Sequence, residues 1–496
     1  MQIIQKPKKV PNQPCNDAEF SFANIEEQRQ SLKLRPYQMK NLAMSLGQER
    51  FGDLSEAGTG KSPTAALWIY QRQKEGRVIW TMPKSLLIKN YFELLLWSNL
   101  SPDQVIIIDG TRKQRAQQLA NKNTRVFLMG FTGFGNNWEM IRDAFPDTLT
   151  LCSDEHHLGF STHCAWNSFF KRFDGSMRTY EYYRFLKRGG PHLAMTGTLI
   201  DGRLNSAFPL INVINPNYYP TYQNFMVWHA MCDEWGTPFA WKNHDRLKAI
   251  LGKHSARTTF EEAYGAEKKL IYIQMCTMST KQYRMYKEIE ERGITELDEG
   301  FLEAANKGVA LAKCIDIMQC PEKYNIKPHE TDSKETHLKT ILEDHKSSGK
   351  PLVLFETAVS NHKKLRDVAV KVGMTADIIN GSVTTRRGDI DKLFREGKLQ
   401  VLVCSPRVAG VGFNWPHVDH VVFCSLDWQD STFIQNYRRA MRGVRDTALR
   451  ITVLVYRKGM DIYISKKLKA KAADRLKVED GVDVDLINKI IEASGK

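Results

Sequence analysis

The sequence is poor in the features that would place it outside the ordinary soluble globular class. Its nine cysteines, at 15, 152, 164, 232, 276, 314, 320, 404 and 424, form no CxxC pair, and several sit inside apolar runs. They read as buried thiols of a reducing compartment, which excludes a disulfide scaffold. No stretch approaches the roughly 20 consecutive apolar residues that a bilayer requires. The opening MQIIQKPKKVPNQP has no apolar core followed by a cleavage-like site, so it does not read as a secretory signal. A soluble, intracellular protein is expected. Acidic residues are also in short supply: 56 Asp and Glu against 71 Lys and Arg leave a formal charge of +15. An excess of cations on this scale suits a polyanionic partner, because Lys and Arg neutralise phosphates and release counterions. Charge alone does not separate DNA, RNA and acidic protein.

What is present, in 496 residues, is enough chain for two or three domains with cores of their own. The first chemical string is FGDLSEAGTGKS at 51–62. Backbone N–H groups of a glycine-rich turn can converge on phosphate oxygens, and the helix that follows adds its positive N-terminal dipole. Gly58, Thr59, Gly60, Lys61 and Ser62 are the binding candidates. Lys61 would reach the β- and γ-phosphates and the Ser62 hydroxyl would ligate Mg²⁺. Ser55 stands where the stricter pattern has its first glycine.

Short apolar β-rich runs at 77–83, 104–110, 125–131, 148–155 and 192–198 alternate with helical segments. That alternation predicts an α/β fold with a parallel sheet buried on both faces, whose ligands gather at the carboxyl ends of the strands. Lys61, Asp154 and Thr196 all fall at such ends. Asp154 would help hold Mg²⁺, and Glu155 would orient or deprotonate a water. His156, His157, His163 and Cys164 are all metal-ligating types, but their spacing matches no common zinc pattern. Hydrogen bonding around the nucleotide site accounts for adjacent histidines equally well. In the stretch 165–190, six Lys and Arg residues interleave with aromatics. This suits either backbone contact with base stacking or a helix pair with a wet charged face.

A new strand is expected at 269–276, followed by a helix from Ser279 or Thr280. A second alternating series covers 351–457 without a phosphate loop of its own. It carries instead FIQNYRRAMRGVRD at 433–446, where Arg438, Arg439, Arg442 and Arg445 are expected on one helix. Arg439 and Arg442, three apart, would share a face, and arginines there could stabilise phosphate charge in a transition state. An interlobe or DNA-phosphate contact is the other reading. The basic-to-acidic C-terminal segment from 465 reads as a solvated helix or a nucleic-acid track.

Taken together, these strings resemble the helicase-like ATPases of superfamily 2, and specifically the SWI/SNF-type DNA translocases, over roughly residues 32–457. LRPYQ at 34–38, with Arg35 and Gln38, is similar to that family's adenine-reading element. EAGTGKS resembles its phosphate loop, MPKSLLIKNY at 82–91 its next motif, SDEHH at 153–157 its acidic box and TGT at 196–198 its coupling motif. LKAILGKHSARTTFEEA at 247–263 and IQMCTMSTKQYRMY at 273–286 resemble its entry into a second lobe. INGSVTTRRGDIDKLF at 379–394, SPRVAGVGFNW at 405–415 and QNYRRAMRGVR at 435–445 resemble its last motifs. Leu199 departs from the proline usual after Thr-Gly-Thr, and Met441 from a usual histidine.

The resemblance implies two tandem RecA-like parallel-sheet lobes with a nucleotide cleft between them. It divides the chain into a lead-in at 1–31, lobes at 32–262 and 263–470, and a tail at 471–496. It implies ATP and Mg²⁺, with Lys61, Asp154, Glu155, Arg439 and Arg442 as catalytic residues and Gln435 facing the nucleotide. Thr196, Thr198, Gly410, Gly412 and Asn414 would couple nucleotide state to nucleic acid, double-stranded DNA being the implied track. A strand-separating helicase on RNA or branched DNA shares every residue named, and a non-catalytic nucleic-acid-binding scaffold is the alternative of another class.

Overall fold

The computed structural model describes residues 29, 32–145, 149–160, 164–167, 172–175, 179, 182, 189–200, 203–297, 301–383, 386–410, 412–441, 445–479 and 484–494. The chain divides into two compact units, Met1–Ala266 with Asp474–Gly481, and Glu267–Ala473 with Val482–Lys496. The residues after 470 are therefore shared between both units, and they include the helices Met460–Leu476 and Asp485–Ser494.

The main sheet of the first unit has seven strands, β1 (Arg50–Asp53), β2 (Val78–Met82), β3 (Val105–Ile107), β4 (Val126–Gly130), β5 (Thr150–Ser153), β6 (His192–Met195) and β7 (Ser255–Ala256), of which the five apolar runs supply β2 to β6. They pair in parallel throughout, in the order β7-β1-β6-β5-β2-β4-β3. β2, β5 and β6 are buried along their whole length, because helices cover both faces of a sheet built by crossovers. Phe127, Leu151, Ala194 and Ile211 form part of one apolar core, and Val478, far away in sequence, belongs to it as well.

Two helices frame the phosphate loop. Helix α1 (Pro36–Leu46) begins with proline at its first position, and the Gln38 side chain caps it by accepting from Arg35 N at 2.8 Å. Helix α2 (Lys61–Arg72) starts directly from Gly60, whose φ of 83° puts it in the left-handed region.

The second unit has strands β8 (Lys269–Cys276), β9 (Leu352–Phe355), β10 (Ala376–Ile379), β11 (Val401–Cys404), β12 (His420–Phe423) and β13 (Leu449–Tyr456). Their order is β8-β13-β12-β9-β11-β10, again parallel at every pairing. The helix expected from Ser279 or Thr280 runs over Thr280–Arg292, with Ser279 accepting from Gln282 N and Gly293 ending it in the left-handed region. Two tandem parallel α/β sheets of this kind are the RecA-like architecture expected from the sequence.

Three expectations change. Arg438, Arg439 and Arg445 lie outside the helix on which they were expected. The helix there, Asp430–Tyr437, stops before Arg438, because the chain turns so that Trp415 N donates to Arg439 O at 2.7 Å. The aromatic-basic stretch is not a helix pair at its start, since Cys164–Asn167 and Arg172–Gly175 form an antiparallel strand pair. Tyr182 from the same stretch is buried and stacks on Phe160 at 3.8 Å between centroids, so its ring serves the core. Finally, Cys232 is exposed, while Cys152, Cys276, Cys314, Cys320, Cys404 and Cys424 are buried thiols. Among the described residues no helix is long and apolar enough to cross a membrane.

Candidate active site

Strands β1, β6 and β5 lie side by side, and the three loops leaving their carboxyl ends carry the phosphate loop, Thr196–Thr198 and Asp154-Glu155. This adjacency comes from the strand order and cannot be read from spacing along the chain. Gly197 packs so closely on the phosphate loop that a Cβ there would sit 3.0 Å from Ala57 N and 3.4 Å from Lys61 Nζ. A side chain there would require the phosphate-loop backbone at Ala57 to give way.

The loop is held by its carbonyls. Tyr37 Oη donates to Thr59 O at 2.6 Å, Gln38 Nε2 to Gly60 O at 2.8 Å and Tyr264 Oη to Gly58 O at 3.1 Å. With their carbonyls engaged in this way, the loop's glycines are fixed in left-handed conformations, Gly58 at φ 92° and Gly60 at 83°. Lys61 Nζ donates to Ser55 O at 2.6 Å and to Glu56 O at 3.1 Å. Gln38 also accepts from Arg35 N at 2.8 Å, and Arg35 lies over the Tyr264 ring at 4.3 Å. Both ends of the Gln38 amide are thus used within the protein.

The acidic box is strained and buried. Glu155 adopts φ 49°, an uncommon conformation for a residue with a side chain, and such strain concentrates at functional sites. Its amide donates to Asp154 Oδ1 at 2.9 Å, while Asn90 Nδ2 donates to Asp154 Oδ2 at 3.1 Å. Burial, and next the neighbouring Glu155, push the Asp154 carboxyl above its usual range, with Lys61 and Asn90 opposing. Burial likewise raises Asp53, with Lys61 again opposing.

Glu155 Oε2 is buried without a hydrogen bond and lies 3.7 Å from His157 Nδ1. A carboxylate left in that state, beside a second one whose burial disfavours its charge, fits a site completed by a cation and a water. Asp154 and Ser62 are the residues that would hold Mg²⁺. Among the described residues no group of three or more His, Cys, Asp and Glu side chains could hold a metal by itself.

The two histidines of the box have different duties. His156 meets Ser153 Oγ at 2.8 Å and is depressed to about 3, chiefly by burial, so it stays neutral in the core. His157 Nδ1 meets Thr196 Oγ1 at 2.7 Å. His163 and the Cys164 side chain lie outside the described part.

In the second unit Arg439 is buried and donates to Phe413 O at 3.5 Å and, more closely, to Gly410 O. Gly412 has φ 90°, Asn414 is exposed and Gln435 is half-buried. Arg439 therefore ties the chain after its helix to the loop of Gly410 and Gly412. Arg442 lies outside the described residues. Arg438 is locked elsewhere, donating to Glu267 Oε1 from Nε at 2.9 Å. Tyr37, Asn90, Arg257 and Tyr264 are absent from the sequence-based candidates. Tyr37 lies inside LRPYQ, Asn90 inside MPKSLLIKNY and Arg257 inside LKAILGKHSARTTFEEA, whereas Tyr264 lies one residue beyond that last string.

The Helicase conserved C-terminal domain matches residues 316–444 of this chain. Among curated proteins, the chain is 23% identical over 437 residues to the Chromodomain-helicase-DNA-binding protein 3 homolog of Caenorhabditis elegans, covering 78% of this chain and 23% of that protein. It is 24% identical over 484 residues to the ISWI chromatin-remodeling complex ATPase ISW1 of Saccharomyces cerevisiae, covering 90% and 40% respectively. The chain thus spans about a quarter to two fifths of the length of these relatives. A solved structure, the Sulfolobus solfataricus SWI2/SNF2 ATPase core in complex with dsDNA, is 18% identical with a TM-score of 0.39, covering 93% of this chain and 97% of that one. The chain is thus similar to the Helicase conserved C-terminal domain over residues 316–444 and, over most of its length, to a chromodomain-helicase-DNA-binding protein and an ISWI chromatin-remodeling ATPase.

Proposed function

We propose that the protein is an ATP-driven nucleic-acid motor, and that its track is double-stranded DNA. The observation that supports this best is the delivery of Lys61, Asp154-Glu155 and Thr196 by three adjacent parallel strands of one unit. Water attacks the γ-phosphorus as the bond to the ADP oxygen breaks, and the water's proton leaves toward Glu155. Lys61 exchanges its two carbonyl acceptors for phosphate oxygens when ATP enters. Bound Mg²⁺, held through Ser62 and Asp154, would neutralise charge on the β- and γ-phosphates. Glu155, fixed by its left-handed backbone, orients the attacking water. Arg439 and Arg442 are proposed as the residues of the second unit that respond to the γ-phosphate.

A DNA track is supported by the charge of +15 and by the relatives' names, which refer to DNA binding and chromatin. Backbone contacts dominate such binding, so affinity falls steeply with salt. The test compares ATP hydrolysis with duplex DNA, single-stranded DNA and RNA. Duplex DNA is expected to stimulate most, with Lys61→Ala and Glu155→Gln each abolishing turnover while DNA is still bound. Equal turnover in either variant, or no stimulation by any nucleic acid, overturns the reading.

A further inference from the structure

We propose that the segment Arg475–Glu479 is a positioning element for the phosphate loop, setting ATP affinity through the buried contact of Glu479 with Arg257. The inference rests on the reading of 51–62 as the nucleotide site.

Glu56 lies in the middle of the loop, yet its carboxylate is turned inward. Oε2 accepts from Phe260 N at 2.8 Å and Oε1 from Arg257 Nη2 at 3.2 Å. The main chain follows the same path, with Leu54 N donating to Ala256 O at 2.8 Å and Glu56 N to Thr258 O at 2.9 Å. Residues 256–260 are therefore the floor on which the loop rests.

Arg257 divides its guanidinium between this floor and the end of the sequence. Nη1 donates to Leu54 O at 3.3 Å and to Glu479 Oε2 at 2.8 Å. The other oxygen of Glu479 accepts from Arg475 Nε at 3.2 Å, one helical turn back. Glu56, Arg257, Glu479 and Arg475 so form an alternating row of two carboxylates and two guanidiniums. Glu479 and Arg475 are each only 3% exposed, and Val478 between them is seated in the apolar core of the same unit.

Four charges withdrawn from water are an inefficient way to stabilise a fold, since well-packed apolar residues do as well or better. A row of fixed charges does, however, define position. The peptide units it fixes, at 54–56, supply the carbonyls on which Lys61 Nζ rests, Ser55 O and Glu56 O. Removing the Glu479 charge takes one carboxylate from Arg257 and shifts the balance of its contacts toward Glu56 and Leu54 O, away from the present register of the loop floor.

The experiment uses the full chain and measures ATP and ADP binding by calorimetry, with KM and kcat for ATP at saturating duplex DNA. Glu479→Gln keeps the shape and removes the charge. It is expected to weaken ATP binding and raise KM about tenfold, the scale of one charge-assisted buried hydrogen bond, with kcat little changed. Lys477→Gln, an exposed neighbour paired on the surface with Asp474, is expected to bind as the parent does. ATP binding by Glu479→Gln equal to the parent overturns the inference.

A second measurement needs no variant: hydrogen exchange of the unaltered chain with and without ATP. Slowed exchange at 54–60 together with 475–479 supports the link, and protection of the loop alone overturns it. Absence of ATP binding by the parent chain overturns the nucleotide reading and this one together. Normal binding by both parent and variant overturns only this one.

Discussion

His157 Nδ1 and Thr196 Oγ1 are 2.7 Å apart, joining the acidic box on β5 to the Thr-Gly-Thr loop on β6. The Thr196 hydroxyl donates to Thr198 O at 2.8 Å and accepts from Thr198 N at 3.0 Å. Its single proton is thus used, and His157 must carry its own on Nδ1 to donate to Thr196. One hydroxyl fixes both the histidine next to the acidic pair and the turn after β6. Thr196→Val keeps the shape and removes all three bonds. Turnover is expected to fall about tenfold with KM for ATP nearly unchanged, in line with one lost net hydrogen bond at the reacting centre. Steady-state kinetics with saturating DNA check this.

Gly60 is constrained twice. Its φ of 83° disfavours any side chain, and a Cβ would sit 2.7 Å from Gln38 Nε2. Gly60→Ala is expected to destabilise the first unit by about 1–2 kcal/mol from the backbone alone and to weaken ATP binding. In a Gln38→Ala background the contact with Nε2 disappears and the φ cost stays. The double variant should therefore recover part of the loss seen in thermal melting, and never all of it.

How much of this was legible in the sequence depended on whether the information was local. The runs at 77–83 and 351–357 read as buried parallel strands because continuous apolar sequence bounded by turns has few other stable uses. Gly58, Gly60 and Lys61 were legible because phosphate binding imposes a local spacing. The role of Arg257 was not, although it lies inside LKAILGKHSARTTFEEA, since its partners Glu56 and Glu479 lie about 200 residues away on either side. Arg438, Arg439 and Arg445 were misplaced for the opposite reason. Their spacing fits a helix, but Trp415 and Glu267, both distant, hold Arg439 and Arg438 in a turn.

Asp154 gives a pH-dependent test. Burial and Glu155 raise its folded pKa, so the native state holds that proton more tightly than the unfolded chain does. The stability it contributes is present below the ordinary aspartate value, about 3.9, and is lost as pH rises through the raised folded value. Asp154→Asn removes the ionised form and its repulsion with Glu155. At neutral pH, without nucleotide, the variant should melt above the parent, and the difference should shrink as pH falls toward 4. Hydrolysis should be abolished at every pH. A parent that melts above Asp154→Asn at pH 7 contradicts the assignment.

Arg438 separates structural from chemical arginines in the second unit. Its guanidinium reaches Glu267 Oε1 through Nη2 at 2.8 Å as well as through Nε, and Glu267 also accepts from Tyr437 Oη at 3.1 Å and Lys269 Nζ at 2.9 Å. Arg438 is buried and the Glu267 carboxylate largely so, and truncating Arg438 leaves Glu267 with Lys269 and Tyr437 but without its two guanidinium contacts. Arg438→Ala is expected to destabilise the second unit by about 1.5–3 kcal/mol, the scale of a lost hydrogen bond to a charged group, because Lys269 still neutralises Glu267. Urea unfolding followed by tryptophan fluorescence, with Trp415 and Trp428 both in this unit, would register it as a lower midpoint. Arg442→Ala should instead lower turnover with an unchanged midpoint, because its proposed role is toward phosphate. If Arg442→Ala shifts the urea midpoint as far as Arg438→Ala does, Arg442 is a second structural arginine and its place in the catalytic set falls.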